Sequence, residues 1–195
     1  MIAWRSCLLV LTALAACTVP LAAQAEQRRG FWVGAGLGGG AAGIDIPAVG
    51  DVGKLGLSGY VNIGGTVRPA VLLGVEGIGW LRSDPDTTRQ LGMLSAVVSL
   101  YPLADKDFFF VKAGFGAAFY AENASQDAFR AYGFAFHAGV GGDYRLSEKI
   151  LLGLLVQYVR SPNQEVKRNR QILFGKLDFE MIQFSLGVRW HKRGW

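Results

Sequence analysis

The sequence predicts an all-β chain, an eight-stranded antiparallel up-and-down transmembrane β-barrel preceded by a cleaved signal peptide. Three observations carry this. In Met181–Trp190 every second residue is bulky and apolar, so Ile182, Phe184, Leu186, Val188 and Trp190 share one face of a pleated strand and meet lipid. Gln183, Ser185, Gly187 and Arg189 share the other face and line an interior. The first residues read as a secretory leader. Finally, 27 glycines and a 51% hydrophobic composition are unusual for a soluble domain, yet no segment after the leader offers the roughly twenty uninterrupted apolar residues of a membrane helix.

The leader comes first in the chain. Arg5 is its only charge, Cys7–Ala16 is apolar, and Pro20 precedes Ala23-Gln24-Ala25, which places cleavage before Glu26. Residues 1–25 are then the signal peptide, and 26–195 form one barrel domain. The competing reading is lipoprotein processing at Cys17, because Leu14-Ala15-Ala16-Cys17 has a lipobox composition. Both cysteines, Cys7 and Cys17, lie in the leader, so ordinary cleavage removes every thiol and with it disulfides and thiolate metal sites. Loss of Arg5 takes the formal charge from +5 to +4, too small an excess to argue for nucleic acid.

Eight alternating segments follow. Arg29–Gly40 sets Phe31, Val33, Ala35 and Leu37 against Trp32, Gly34, Gly36 and Gly38. Leu55–Arg68 sets Leu57, Val61, Ile63 and Val67 against Ser58, Tyr60, Asn62, Gly64 and Thr66. Proline cannot continue a ladder, so Arg68-Pro69-Ala70 turns the chain into Val71–Leu81, where Leu73 and Val75 alternate with Gly74 and Glu76. The fourth segment is Gln90–Tyr101. The fifth, Phe108–Tyr120, sets Phe109, Val111, Phe115 and Phe119 against Lys112, Gly114 and Gly116. The sixth, Ala131–Tyr144, sets Phe134, Phe136, Val140 and Tyr144 against His137, Gly139, Gly141 and Asp143. Ile150–Val159 is apolar on both parities, which leaves its facing open, and Met181–Trp190 closes the set.

Four connections are long (Ala42–Lys54, Arg82–Arg89, Ala121–Arg130 and Ser161–Gly175) and alternate with short ones. That is the plan of an outer-membrane barrel with short periplasmic turns. Eight strands leave an interior just wide enough to be filled by side chains, which argues against a wide channel. A soluble barrel would need a dense charged coat, but the non-apolar parity here is mostly Gly, Ser and Ala. A cation at mid-membrane on the lipid face costs on the order of 2–4 kcal/mol, so Glu76, Lys112 and His137 belong inside.

The opening Phe31-Trp32-Val33-Gly34-Ala35-Gly36 and the hairpin Gly64-Gly65-Thr66-Val67-Arg68-Pro69 leading to Gly74-Val75-Glu76 bear a family resemblance, as do Tyr101-Pro102 and Gly187-Val188-Arg189-Trp190. Over Arg29–Trp190 the chain resembles the small outer-membrane β-barrel proteins of the OmpA/OmpX type. The resemblance implies a Gram-negative outer membrane, outer-membrane lipid and lipopolysaccharide as surroundings, and periplasmic chaperones and the barrel-insertion machinery as biogenesis partners. It also implies a terminal aromatic as the insertion signal. Trp190 and Trp195 both qualify, and Trp190 is favoured because the alternation stops there.

Glu76, Lys112 and His137 form an expected lumen charge cluster, a structural plug or a pH-sensitive gate through His137, with Arg68, Asp143 and Arg189 as a second layer toward the periplasm. Arg82, Arg89, Arg130, Lys167, Arg168 and Arg170 are candidate contacts for lipopolysaccharide phosphates, or solvated loop residues. Trp80, Tyr120, Tyr132 and Tyr158 are expected in one interfacial aromatic girdle, and Phe31, Trp32, Tyr144 and Trp190 in the other. Gly34-Ala35-Gly36-Leu37-Gly38-Gly39 matches a dinucleotide fingerprint, but no helix follows to receive a phosphate. No Ser, His and acid fall together at the outer rim, and two distant histidines make no metal site. The expectation is a monomeric, non-enzymatic barrel without metal or cofactor, structural or acting through surface loops. A narrow passive pore and, ranked lower, a lipid A-modifying enzyme are the alternatives.

Overall fold

The computed structural model describes residues 30–46, 50–51, 53–103, 108–124, 128–168 and 171–192, the side chains of 44–51, 124–129 and 163–177 excepted. The expected leader, Trp195, Arg170 and the side chains of Lys167 and Arg168 therefore lie outside the described residues. The strands are β1 (Phe31–Ile46), β2 (Gly50–Asp51), β3 (Lys54–Arg68), β4 (Val71–Asp84), β5 (Thr87–Leu100), β6 (Phe109–Ala124), β7 (Ala128–Arg145), β8 (Ile150–Arg168) and β9 (Gln171–His191). The two-residue β2 only pairs with the end of β1. The eight long strands pair antiparallel in chain order, and β1 pairs with β9, from Trp32–His191 to Asp45–Asp178, which closes the barrel.

Closure fixes the geometry. Directly opposed residues followed round the wall run Val33, Ile63, Val75, Ala96, Phe115, Phe136, Arg160, Glu180, and return to β1 at Gly43, ten residues beyond the start. A stagger of ten over eight strands tilts each strand by roughly 40–45° and leaves an interior of side-chain width.

The alternation holds around the wall. Ile182, Phe184, Leu186, Val188 and Trp190 are exposed on the outer face, and Gln183, Ser185 and Arg189 are buried inside. In β8 the outer face is Leu152, Leu154 and Val156, and the inner face Leu155, Gln157 and Val159. That strand looked ambiguous because part of the lumen is itself apolar.

Three expectations are corrected. Much of the expected long connections is strand, not loop: β1 runs on to Ile46, Arg82–Asp84 pairs with Thr87–Arg89, Ala121–Asn123 with Ala128–Arg130, and Ser161–Arg168 belongs to β8. Beyond the bilayer neither strand face meets lipid, so the ladder continues without a period-two apolar signal. Arg68 is exposed at the turn and leaves the lumen group, because the β3–β4 register shifts between Thr66 and Arg68. Trp32, Trp80 and Tyr120 are buried inside the barrel and belong to neither girdle. Phe31, Tyr132, Tyr144 and Trp190 are exposed on the outer face, and Tyr158 is half-buried.

One irregularity follows from covalent chemistry. Pro162 in β8 has no N–H to donate. The ladder shifts register on both of its sides, between Tyr132 and Phe136 of β7 and between Ser161 and Gln164 against β9. The Ser161 hydroxyl donates to the Phe134 carbonyl at 2.6 Å and supplies a bond within this gap.

Candidate functional site

The inward positions stack into layers along the barrel axis. At mid-wall, Glu76 (β4) receives Lys112 Nζ (β6) on both carboxylate oxygens, at 2.6 and 2.7 Å. Asn62 Nδ2 (β3) donates to Oε2 at 2.8 Å and Gln157 Nε2 (β8) to Oε1 at 3.2 Å. Lys112 also lies over the Tyr60 ring, 4.9 Å from its centroid. Glu76 is 0% exposed, so the four donor contacts replace the hydration that burial removes. The structure thus brings Glu76 and Lys112, two of the three residues expected as a lumen group, into contact.

His137 (β7) joins through both ring nitrogens. Gln157 Nε2 lies 3.1 Å from Nδ1, and Ser95 Oγ (β5) lies 3.0 Å from Nε2. Ser95 was missed by sequence reasoning, because only register brings β5 and β7 inward positions together across β6. Ser95, His137 and Glu76 make a nucleophile, base and acid set, yet its polarity is reversed. A hydrolytic triad needs Nδ1–H donating to the acid and Nε2 accepting from serine. Here the Gln157 amide donates to Nδ1, and its orientation is fixed by its second N–H on the Glu76 carboxylate, since the amide oxygen there would face an anion. The ring proton therefore sits on Nε2 and points at Ser95, whose own hydroxyl donates to the Glu76 carbonyl at 3.2 Å. Glu76 Oε1 stands 3.9 Å from Nδ1, beyond hydrogen-bond reach.

Nearer the rim that carries Phe31 and His191 is a second charged layer. Arg189 Nη1 (β9) meets Asp143 Oδ2 (β7) at 2.5 Å and also donates to the Tyr101 hydroxyl, which donates to the same carboxylate oxygen at 2.6 Å. The guanidinium packs on Trp32 and Phe110, 5.6 and 5.0 Å from their centroids. The structure thus brings Asp143 and Arg189 together, without Arg68.

Toward the far rim the lumen is apolar: Ile78, Trp80, Leu91, Met93, Tyr120, Val159, Phe179 and Met181 are all buried there. Above them Arg82 and Asp84 pair at 2.8 Å, and Arg89 reaches Asp84 at 3.1 Å and Glu122 at 3.2 Å. Arg82 and Arg89 are therefore held by carboxylates of the mouth. Arg130 is exposed, and its ladder partner Ala121 on β6 shares the outward parity of Phe119 and Phe115.

Inward glycines accommodate these large side chains. A Cβ on Gly36 would enter the Tyr60 ring, one on Gly34 the Asn62 amide, and one on Gly40 would crowd Trp80 and Ser58. The apparent dinucleotide motif is thus the strand surface on which lumen side chains lie. Among the described residues no group of His, Cys, Asp and Glu could hold a metal ion.

The family model described as "Outer membrane protein beta-barrel domain" matches residues 9–190. Among solved structures the chain is similar to Neisserial surface protein A at 14% identity and a TM-score of 0.60, covering 83% of this chain and 97% of that one. It is also similar to Ail, the attachment invasion locus protein of Yersinia pestis (8% identity, TM-score 0.55, 83% and 99% covered). A third likeness is to the outer membrane protein OprG of Pseudomonas aeruginosa (13%, 0.53, 86% and 99%). The comparison with curated proteins returns no match.

Proposed function

Because the chain belongs to the outer membrane protein β-barrel domain family, and is an outer-membrane barrel, we propose that it is a non-enzymatic integral protein with a plugged lumen. Its role is structural or one of surface interaction, exercised through the hairpins that project beyond the bilayer. The observation that carries this reading is the filled lumen: two charged layers and an apolar layer follow one another along the axis, each built from side chains at or near full burial.

Each layer opposes a different activity. The apolar layer resists ion passage, since a hydrated ion would shed water there with no polar group to replace it. The mid-wall layer carries a serine and a histidine, but the tautomer that Gln157 imposes denies Ser95 a base. The lipid-facing band of Phe31, Leu37, Val61, Leu94, Phe115, Phe134, Val156 and Phe184 anchors the barrel. At the outer surface Arg130 is the described candidate for a lipopolysaccharide phosphate, whereas Arg82 and Arg89 already hold carboxylates.

The test is planar-bilayer recording on the purified full chain. The expected result is no reproducible conductance. Steady unit conductance would instead establish the narrow-pore alternative, and a rise on Lys112→Ala alone would assign the block to the ion pair. Lipid A from expressing cells should keep its mass, and a mass change would restore the enzyme reading.

A further inference from the structure

On the outer wall the lipid-facing band is interrupted by a groove of about 1270 Å³. Its long axis follows the ladder, from Val188 on β9 through the directly opposed Ala35, Val61 and Gly77 to Leu94 on β5. Beside this row Gly59, Gly79 and Gly92 oppose one another on β3, β4 and β5, so three adjacent strands present bare main chain as the floor. The Leu37 side chain approaches Gly59 and the Phe119 ring covers Gly92, which closes both ends of the glycine row. Between them nothing lies within 4 Å of where a Cβ on Gly79 would stand. The groove opens outward, since the lumen side chains Tyr120, Val159, Phe179 and Met181 take no part in its lining. Its end nearest the far rim carries Gln90, with Thr88 and Ser83 opposed just beyond.

We infer that this groove seats one acyl chain of lipid A, laid over the glycine floor with its head at Gln90. The groove is continuous with the face that meets lipid, so its occupant comes from the membrane. Direction narrows the choice. Ladder bonds run across strands tilted by roughly 40–45°, so the groove lies roughly 45–50° from the membrane normal. A second copy would share this copy's orientation, and a two-fold axis along the normal would turn its ridges across the groove instead of along it. A transmembrane helix would need a steeper tilt than such helices adopt. A flexible hydrocarbon chain meets neither limit. Association within lipid depends on packing, and a chain seated here touches wall on three sides, where a void would forfeit those contacts. The head end separates lipid sources. Gln90 offers both an amide donor and an acceptor, which match the amide link and hydroxyl of a lipid A chain, whereas a phospholipid ester only accepts. The groove climbs toward the rim of Arg82 and Asp84, so that head lies in the outer leaflet.

The inference requires only that the outer face meets lipid, and the plugged lumen does not enter it. The experiment is native mass spectrometry of the full chain released from nanodiscs of phosphatidylethanolamine and lipid A in equal amounts. The expected result is one retained lipid A per barrel, lost in Gly77→Leu/Gly79→Leu. Both positions have room: Gly79 is open, a Cβ on Gly77 meets Val61 at an ordinary 3.4 Å, and neither has a positive φ. Gly65→Leu, equally open and outside the groove, should keep the lipid. If the pair fails to fold, as read from heat-shifted gel mobility, Gly79→Leu alone should reduce retention. Gln90→Leu should keep a lipid but lose the preference for lipid A, and an unchanged preference would overturn the role given to Gln90. No lipid on the wild type, or one that persists in a folded, filled variant, overturns the site. Phosphatidylethanolamine retained in its place overturns the lipid A assignment. A doubled protein mass that disappears in the glycine variants would assign the groove to a second copy and overturn the acyl chain. Conductance in bilayer recording would overturn the plug and leave the groove standing.

Discussion

The barrel contains the same chemistry in two settings. At mid-wall a lysine and a glutamate meet at 2.6 Å with side chains 2% and 0% exposed; at the far mouth Arg89 and Glu122 meet at 3.2 Å with 19% and 26% exposed. The first pair is enclosed by Asn62, Gln157, His137 and Ser95, and the second is open to solvent and salt. A pair in water trades one set of favourable contacts for another and gains little. A pair inside the wall has no water to return to, so each partner becomes a condition for burying the other. A cation–carboxylate pair therefore holds the fold at one height and merely decorates it at another.

The largest effect should come from splitting the inner pair. Glu76→Leu or Lys112→Met should lower folded-barrel stability by about 3–5 kcal/mol, read from the urea midpoint of the band whose gel mobility shifts on heating. The two are not expected to be equal. Without Lys112 the carboxylate keeps its Asn62 and Gln157 donors, whereas without Glu76 the ammonium keeps only the Tyr60 face. Glu76→Leu should thus be the more damaging, and the double variant should recover part of the loss. Equal single effects with no recovery would mean that Coulomb attraction is not what matters at mid-wall.

Next in size is the lipid face. Phe184→Arg, in the middle of the closing strand's outer row, should cost about 2–4 kcal/mol and impair insertion. Smaller again is the filling of the interior: Gly36→Val drives an isopropyl group into Tyr60 and should cost about 1–3 kcal/mol on the same midpoint. A neutral Gly36→Val would show that Tyr60 is free to move, and that the lumen is less tightly packed than its distances indicate.

How much of this was legible differs by region for a physical reason. Where one face met lipid and the other a polar lumen, as in β9, alternation alone assigned every residue from Ile182 to Trp190. Where the lumen is apolar, as around Leu155 and Val159 in β8, both faces read alike and only the register separates them. Beyond the bilayer the signal disappears altogether, so paired strands such as Arg82–Asp84 with Thr87–Arg89 looked like loop. The inward group of Glu76, Lys112 and His137 was visible because charges on the lumen parity have few other places to go. Ser95, Gln157 and Asn62 were not, since neutral polar residues on that parity carry no comparable cost. Trp32, Trp80 and Tyr120 misled because an aromatic near a strand end suits an interface, whereas here all three are buried inside, Trp32 over Gly64 and Gly74 and Trp80 over Gly40 and Gly56.

The smallest effect belongs to the mouth, where acid tests the comparison from the other side. The hydrogen bond from Arg82 holds the Asp84 carboxyl below the ordinary carboxylate range against the opposing desolvation, with further attraction from Arg82, Lys54 and Arg89. A depressed folded-state value stabilises the folded form above the unfolded pKa, and that contribution fades as pH falls through about 4 toward the depressed value. Asp84→Asn should therefore leave the neutral-pH urea midpoint within error and remove a slight loss seen on acidification. Raising ionic strength should erase the same slight loss in the wild type, since the mouth is open to counterions. The mid-wall pair should ignore added salt. A salt-sensitive midpoint that survives Asp84→Asn but disappears in the Glu76 and Lys112 double variant would show that ions reach the inner layer, and the contrast between the two settings would fail.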